Sequence, residues 1–549
     1  MGIAPGGRLI NCKGGGISST PAHIRAKASH VSSRFAWRGG RRARVVGGSV
    51  VRLCRLRCFA RGLEALTIIA MLTGCAVGPD FQSPPPPGVT WYLPRLPGGP
   101  AAGDSVAGQR LLHGADIPDR WWELFRSPHL NDLITQGIVH NPDLQAAEAA
   151  VRVAQANALA QRGALFPTVI GDFNAERQKQ ALGTVTPTAA TNASTFSLYT
   201  AQVTVFYVAD VWGGTRRQIE AADALTEAQA FQREGVYLTL TANIALAAIQ
   251  EGSLRGQIAA TRRLIGLQTR LLDILRRQYD QGQIALIDVT AQETAVAQAR
   301  LLLSPLEKQL ALQRDLLAFL TGRFPSDEVA ATFQIGSFRP PRILPLSLPA
   351  DLVRQRPDVR VAEANLHAAS AQIGVALANR LPKITLTANA GSTALAMSKL
   401  FTPGTGFWMI AGDAAQTIFD AGALANKQRA AEETFNQTSA QYRSVVLVAF
   451  QNVADALRAL QADSRAVAAA TAAEQSASRN IDLVSRQVEQ GQVSLPVLLN
   501  AQQAYLQTSL ALVQARAARL ADMVALFQAL GGGWWNRPPL VASGSDLPQ

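Results

Sequence analysis

The sequence predicts a mainly helical protein with a smaller β component, built as an internal duplication. The segment Asn141-Pro-Asp143 returns as Arg356-Pro-Asp358 at an offset of 215 positions, and Gln281-Gly-Gln283 returns as Gln490-Gly-Gln492 at an offset of 209. Two landmarks repeated in the same order indicate a duplicated unit of about 210 residues. No proline occurs from 188 to 304 or from 404 to 495, which is typical of very long helices.

Each half begins with the same predicted elements. A helix starts at each Pro-Asp pair, because proline suits the first helical turn and aspartate is favourable near the positive end of a helix. These helices end before Pro167 and Pro382. Residues 168–211 and 383–419 are rich in Thr, Val, Phe, Tyr and Gly and alternate in part, which predicts about two strands per half.

The second part of each half is predicted to be a long helical hairpin. A helix over about 215–279 reaches ~100 Å at 1.5 Å per residue. Leucine-rich heptad seams predict coiled-coil packing. Gly282 and Gly491 suit helix ends because glycine tolerates positive φ. Helices are predicted to resume over about 288–320 and 496–530, with a kink or break at Pro305.

The N-terminal 74 residues have the features of a targeting segment. They hold 13 Lys+Arg and one acid, Glu64, and an apolar run of about eight residues follows the last arginines. Leu72-Thr-Gly-Cys75 resembles the bacterial lipobox, so we expect Cys75 to be lipidated and to begin the mature chain. The residue after the cysteine is Ala76 and not an aspartate, which would indicate retention in the inner membrane, so an outer-membrane destination is favoured. The start of translation is expected downstream of Met1.

Charge location argues against nucleic acid as a partner. The chain has a formal net charge of +13, which alone would favour an anionic partner. Residues 75–549, however, hold 39 bases and 38 acids. The mature protein is therefore predicted to be nearly neutral.

The predicted strands raise a closure problem. A sheet in lipid must close, because unpaired edges cannot be hydrated there. About four strands per chain are too few, since eight is about the usual minimum. If these strands span a membrane, the protein must be an oligomer, and three copies would supply twelve.

Several motifs, taken in order, resemble the outer-membrane efflux factors, in the lipoprotein branch that serves resistance-nodulation-division pumps. The resemblance covers residues 75–535. The motifs are Cys75-Ala-Val-Gly-Pro-Asp-Phe81, Trp121-Trp122-Glu-Leu-Phe125, Asn141-Pro-Asp143, Leu348-Pro-Ala-Asp-Leu352, Arg356-Pro-Asp358, Ile373-Gly-Val375, Ile418-Phe-Asp-Ala-Gly422 and Leu530-Gly-Gly-Gly-Trp534.

The resemblance implies a channel-tunnel fold: a homotrimer with a twelve-strand β-barrel in the outer membrane and a coiled-coil α-barrel in the periplasm. The implied partners are outer-membrane lipid, a periplasmic adaptor protein and an inner-membrane pump. The implied cofactor is only the covalent lipid on Cys75. The expected domains are a leader (1–74), an anchor and extended segment (75–125), two repeats (126–335 and 336–535) and a tail (536–549).

The same resemblance places both repeated Gln-Gly-Gln turns at the periplasmic tips. Gln281, Gln283, Gln490 and Gln492 are then expected to contact the adaptor. The expected tip and gate residues are Gly282, Asp288, Gly491, Leu495, Val497, Leu498 and Asn500. Acids that relatives often carry in the second half are replaced here by Val497 and Asn500. We therefore expect a tip held shut mainly by apolar packing of Leu495, Val497 and Leu498. Instead of serving the gate, Asp288 could cap the helix that follows the first turn.

Three other functions compete with an efflux channel. An enzyme is disfavoured because the sequence contains no P-loop and no His-Glu-x-x-His metal motif. A structural coiled-coil envelope lipoprotein would not explain the paired strand-rich segments. The outer-membrane channel of a type I protein secretion system remains an alternative.

Overall fold

The computed structural model describes residues 76–93, 105–106, 109–179 and 195–537. Its α-helices are α1 (Pro128–His140), α2 (Pro142–Gly163), α3 (Gly214–Asp280), α4 (Leu286–Leu320), α5 (Pro349–Gln355), α6 (Pro357–Ala378), α7 (Ala423–Glu489) and α8 (Leu495–Ala529). Its strands are β1 (Ser105–Val106), β2 (Gln109–His113), β3 (Thr168–Lys179), β4 (Thr195–Ala209), β5 (Ile343–Leu346), β6 (Lys383–Ala394) and β7 (Gly406–Ala415).

The duplication is visible in the helix lengths. α2 and α6 have 22 residues each, α3 and α7 have 67 each, and α4 and α8 have 35 each. The predicted Pro-Asp helix starts are confirmed. At the start of α2, the Asn141 side chain accepts hydrogen bonds from the N–H groups of Asp143 and Leu144 at 2.9 and 3.2 Å. At the start of α6, Arg356 instead binds the Asp358 carboxylate at 2.6 Å.

The long strands form one antiparallel sheet in the order β3-β4-β6-β7, with two strands from each half. The step from strand to long helix is alike in both halves. The Asp210 carboxylate accepts from the N–H groups of Thr215 and Arg216, and Asp420 accepts from those of Gly422 and Leu424. These backbone hydrogen bonds lower the pKa of Asp420, and the bond from Leu424 has the largest effect.

A second, smaller sheet was not predicted. β1 pairs antiparallel with β2, and β2 pairs parallel with β5. The segment expected to be merely extended (75–125) thus contributes two strands, and the chain has more strands than the four expected. β2 and β5 are short and far apart in sequence, so no local alternation indicates their pairing.

Of the kink or break predicted at Pro305, the break is wrong, because α4 runs through this proline without interruption. Pro305 and Leu301 are both exposed. The carbonyl that proline deprives of its hydrogen bond therefore lies on the side of α4 where water can satisfy it. Arg262 and Glu307 form an ion pair at 2.6 Å across α3 and α4 near this point.

The largest apolar core lies where the long helices meet the short helices and the small sheet. Trp121, Trp122, Phe125 and Phe527 are all at most 2% exposed, and the Trp121 and Phe527 rings stack 5.4 Å apart. Large buried aromatic rings dominate the energetics of such a core. Among the helices that the structure describes, none is both long and apolar enough to cross a membrane.

Candidate functional site: a two-faced sheet and two helical tips

The register of the four-stranded sheet sorts its side chains into two faces. Val169 lies opposite Val205, Val205 opposite Ala388, and Ala388 opposite Ile410, so one row of apolar residues crosses all four strands. Because successive residues of a strand alternate between faces, this register assigns every residue of the sheet to one face or the other. This apolar face carries Val169, Phe173, Ala175, Tyr199, Ala201, Val203, Val205, Tyr207, Ile384, Leu386, Ala388, Ala390, Trp408 and Ile410. Its polar members are Arg177, Lys179, Thr195 and Ser197 at one end of the β3–β4 pair, together with Ser392 on β6.

The opposite face is largely polar. It carries Thr168, Asp172, Asn174, Glu176, Gln178, Thr200, Gln202, Thr204, Lys383, Thr385, Thr387, Asn389, Thr393 and Asp413, together with some apolar residues such as Met409. Alternation of apolar and polar residues is the pattern of a strand with lipid on one side and water on the other.

The apolar face is open within a single chain. Trp408 and Ile410 are 76% and 77% exposed, although soluble proteins rarely expose contiguous apolar surfaces of this kind. The strands have 12, 15, 12 and 10 residues, and a tilted membrane strand needs about 9–11. The outer edges of β3 and β7 pair with no other described strand.

Both predicted tips end their helices in the same way. The Gln283 N–H donates to the Gln278 carbonyl at 2.8 Å, and the Gln492 N–H donates to that of Gln487 at 2.8 Å. Gly282 and Gly491 have φ of +70° and +74°. These are the hydrogen bonds and backbone angle of a Schellman motif, which satisfies the last carbonyls of a helix.

The predicted adaptor-contact residues are accessible at these tips. Gln281, Gln283, Gln490 and Gln492 are all exposed in the chain. All four residues are therefore accessible to a partner.

The structure separates the three predicted apolar gate residues. Leu495 is buried with Leu272 and Val289 from the first hairpin. Leu498 is 2% exposed and packs in a second cluster around Ile481. Val497 lies on the other side of α8 and is 44% exposed. Of the three, Val497 is therefore the one directed away from the core of its own chain.

The two polar residues predicted at the tips occupy different environments. Asp288 is half-buried in the first turn of α4, and Asn500 is exposed on α8. Asp288 is not the helix cap: the N-cap position belongs to Ala285, which makes no side-chain capping bond. The physical reason is that α4 starts two residues earlier than expected, at Leu286, so that Asp288 already lies inside the helix.

Sequence reasoning missed the groove that holds the N-terminal segment. Residues 76–83 lie along α3 and α6, and the Val77 N–H donates to the Trp212 carbonyl at 3.0 Å. The buried Arg217 guanidinium donates to the carbonyls of Val77 and Gly78 at 3.2 and 3.3 Å. Gly78 lies so close to α6 that an added Cβ would be 2.5 Å from the Cα of Gly374.

Cys75, the predicted lipidation site, and the leader before it lie outside the described residues. The segment that follows Cys75 is held at Trp212, between the end of β4 and the start of α3. No group of three or more potential ligands (His, Cys, Asp or Glu) that could hold a metal ion was found in the described part of the chain.

Taken together, the long helical hairpins and the two-faced sheet define a channel-tunnel fold. The sequence profile of the family described as "Outer membrane efflux protein" matches residues 133–323 and 348–532. The chain belongs to this outer membrane efflux protein family. It is accordingly an outer-membrane channel component of an efflux pump, with its helical part in the periplasm.

Named relatives agree with this assignment. The pyoverdine export outer membrane protein OpmQ of Pseudomonas putida is 30% identical over 426 residues, covering 77% of this chain and 90% of OpmQ. The probable efflux pump outer membrane protein TtgC of the same species is 28% identical over 481 residues, covering 87% and 97%.

Solved structures share the fold. The outer-membrane channel OprN superposes with a TM-score of 0.76 at 24% identity, covering 84% of this chain and 100% of OprN. The CmeC outer membrane channel of Campylobacter jejuni superposes with a TM-score of 0.75 at 20% identity, covering 84% and 95%.

Proposed function

We propose that three copies of this chain form a passive exit duct for small molecules, in complex with a periplasmic adaptor protein and an inner-membrane resistance-nodulation-division pump. The observation that carries the proposal is the four-stranded sheet, mainly apolar on one face and largely polar on the other, whose edge strands β3 and β7 have no further partner among the described strands. The polar face would line the water-filled duct, and the apolar face would contact lipid.

The trimer follows from closure of this sheet. Each edge strand presents a row of backbone N–H and C=O groups, and each such group left unpaired in lipid costs several kcal/mol. Four strands per chain lie well below the ~8 of the smallest membrane barrels. Three copies would give twelve strands, with β7 of one copy paired to β3 of the next.

The helical tips are the proposed meeting point with the adaptor. The exposed glutamines Gln281, Gln283, Gln490 and Gln492 supply hydrogen-bond donors and acceptors there. Val497, exposed on the same end of the molecule, would meet its copies from the other protomers and narrow the duct by apolar contact.

The covalent lipid on Cys75 would enter the membrane beside the sheet. Val77 is hydrogen-bonded to Trp212 at the junction of β4 and α3, so a lipid two residues earlier would be held near the periplasmic boundary of the apolar face. The proposed channel catalyses no reaction, and the energy for export would come from the inner-membrane partner.

The exported compounds of this chain are proposed only as a class, small molecules such as drugs, toxic compounds or metal ions. OpmQ is named for pyoverdine export, and other relatives are named for toluene, solvent or antibiotic efflux. This range fits a wide duct whose selectivity is set mainly by the pump.

The proposal is tested by purifying the full-length protein from outer-membrane fractions and reconstituting it in planar bilayers. The expected result is a trimer that survives gel electrophoresis without heating and forms wide conductance steps. A water-extractable monomer without conductance would contradict the proposal and favour a structural coiled-coil lipoprotein. A deletion strain that secretes less of a specific protein while keeping wild-type drug susceptibility would favour type I secretion.

A further inference from the structure

The two apolar clusters near the helical tips match each other through the internal duplication. The helices α3 and α7 correspond at an offset of 209 positions, and so do α4 and α8. The first cluster contains Leu272, Leu275, Val289 and Val296, together with Leu495. At this offset its first four members correspond to Ile481, Val484, Leu498 and Tyr505, which all belong to the second cluster.

The fifth member of the first cluster has no counterpart in the second among the described residues. Leu495 begins α8, joins the cluster of the other hairpin and is 8% exposed. Its counterpart at the same offset is Leu286, which begins α4. Leu286 is 53% exposed in the single chain. Two leucines at equivalent helix starts therefore lie in opposite environments.

The difference arises because α8 has a neighbour in the other hairpin on a side where α4 is open. A Cβ added to Gly256 of α3 would lie 2.9 Å from Cγ1 of Val513 on α8. The next residue of α8, Gln514, donates from Nε2 to Oε1 of Gln257 on α3 at 3.2 Å. The counterparts of these two α8 residues on α4 are residues 304 and 305, and both are exposed. These positions of α4 are therefore open in a single chain, as Leu286 is.

A second copy of the chain can supply the missing neighbour. In the proposed trimer six hairpins surround one duct, and the corresponding helices of the two hairpins have equal lengths. Closed homo-oligomers repeat the same contact at every interface. With the six hairpins placed equivalently, α4 of one copy lies against α7 of the next copy as α8 lies against α3 within one chain.

We propose that Leu286 of one copy joins the apolar cluster of Ile481 and Val484 in a neighbouring copy. The contact repeats between chains what Leu495 makes within a chain with the cluster of Leu272 and Leu275. It would join neighbouring copies at the tip of the helical tunnel. This inference deepens the proposed function and rests on the trimer.

Farther from the tip, the seam between copies should differ from the seam within a chain. Gly256 allows α3 to approach Val513 closely, because glycine has no side chain. Its counterpart on α7 is Arg465, and the counterpart of Val513 on α4 is Ser304. The arginine side chain prevents an equally close approach. The seam between copies should therefore be wider and more polar at this level, with the apolar contact of Leu286 at the tip.

Thiol labelling of the purified full-length trimer tests the contact. The four natural cysteines all lie at or before position 75, and the wild type labelled in parallel gives their background. In the trimer, Leu286→Cys should react with a maleimide about tenfold or more slowly than Ile287→Cys, because reaction needs an exposed thiol or a local opening. Leu495→Cys, at a position buried within the chain, is the reference for full protection.

Ile287 is a matched control because it should stay accessible in the trimer. It is 74% exposed in the chain. Its counterpart Pro496 is exposed even though α8 packs against both α3 and α7. Since Leu286 is itself exposed within its chain, its replacement should leave the fold of each copy intact.

Gel electrophoresis of the same unheated samples separates failure of the contact from failure of the trimer. If the wild type is a monomer, the proposed trimer fails, and the contact fails with it. If the wild type is a trimer in which Leu286→Cys reacts as fast as Ile287→Cys, the contact alone is overturned.

Disulfide formation identifies the surface that covers Leu286. We expect Leu286→Cys combined with Ile481→Cys or Val484→Cys to give linked copies under oxidising conditions that dithiothreitol separates, because the residues of one cluster lie within reach of a disulfide. The corresponding single variants should run as monomers after denaturation. A protected Leu286→Cys that links to neither partner position would lie against another surface, and that result overturns the proposal.

Discussion

The guanidinium of Arg217 lies 2.6 Å from the carboxylate of Asp80, yet only the arginine is buried. The side chain of Arg217 is 6% exposed and that of Asp80 is 92% exposed. An ion pair with one partner fully in water contributes little. The bonds from Arg217 to the backbone carbonyls of Val77 and Gly78 should therefore hold the N-terminal segment more than the ion pair does.

Arg217→Met should release residues 76–83, because it removes the donors to both carbonyls at a buried position. We expect a loss of about 2–4 kcal/mol in the free energy of unfolding. Amide exchange of Val77, whose N–H binds the Trp212 carbonyl, should accelerate at least tenfold. Asp80→Asn is the control and should cost less than ~1 kcal/mol. Equal effects of the two variants would show that the ion pair holds the segment.

Two glycines with nearly equal backbone angles should respond differently to alanine. Gly491 and Gly533 have φ of +74° and +75°, so each alanine incurs the ~1 kcal/mol cost of a left-handed residue. A Cβ at Gly491 meets open space, whereas one at Gly533 would lie 2.3 Å from the Pro118 carbonyl oxygen. Gly533→Ala should therefore lower the midpoint of denaturant unfolding several times more than Gly491→Ala. Similar midpoints for the two variants would contradict this packing.

Neighbouring residues on β7 should differ in their tolerance of charge. Ile410 lies on the apolar face and Met409 on the polar face. A lysine on the lipid face near the bilayer centre costs about 2–4 kcal/mol, and one on the water face costs much less. Ile410→Lys should thus reduce the amount of assembled protein in outer-membrane fractions, while Met409→Lys assembles normally and alters conductance. The reverse result would invert the assignment of the two faces.

Val497→Ser should test the apolar gate without disturbing the fold. Val497 is 44% exposed, so its replacement should change the free energy of unfolding by no more than about 0.5 kcal/mol. If the proposed gate is apolar, single-channel recordings should show more frequent opening. Unchanged conductance at unchanged stability would remove Val497 from the gate.

Leu498→Ser is a poor test of the same gate, because it would create a defect inside the chain. Leu498 is 2% exposed among Ile481, Val484 and Tyr505. Truncating a buried leucine costs about 2–5 kcal/mol, so any change in conductance would be mixed with partial unfolding.

Local sequence signals were sufficient to predict most of the long helices and strands. Asn141-Pro-Asp143 and Gly282 mark helix ends through bonds made within a few residues, and alternation in 383–394 marks a strand through its two faces. Such features depend on the chain near them, so one sequence contains the required information.

Features that depend on distant partners were not predictable in this way. β5 pairs with β2 more than 200 positions away. The apolar character of Leu495 was visible, but only the packing of α3 and α4 decides that it is buried.

Because the corresponding helices of the two halves are equally long, both helical hairpins extend the same distance from the sheet. α3 and α7 each have 67 residues, which at 1.5 Å per residue is about 100 Å. A seven-residue insertion in α3 alone would displace one tip by ~10 Å relative to the other. A longer or shorter tunnel therefore requires insertions or deletions of matched length in both halves.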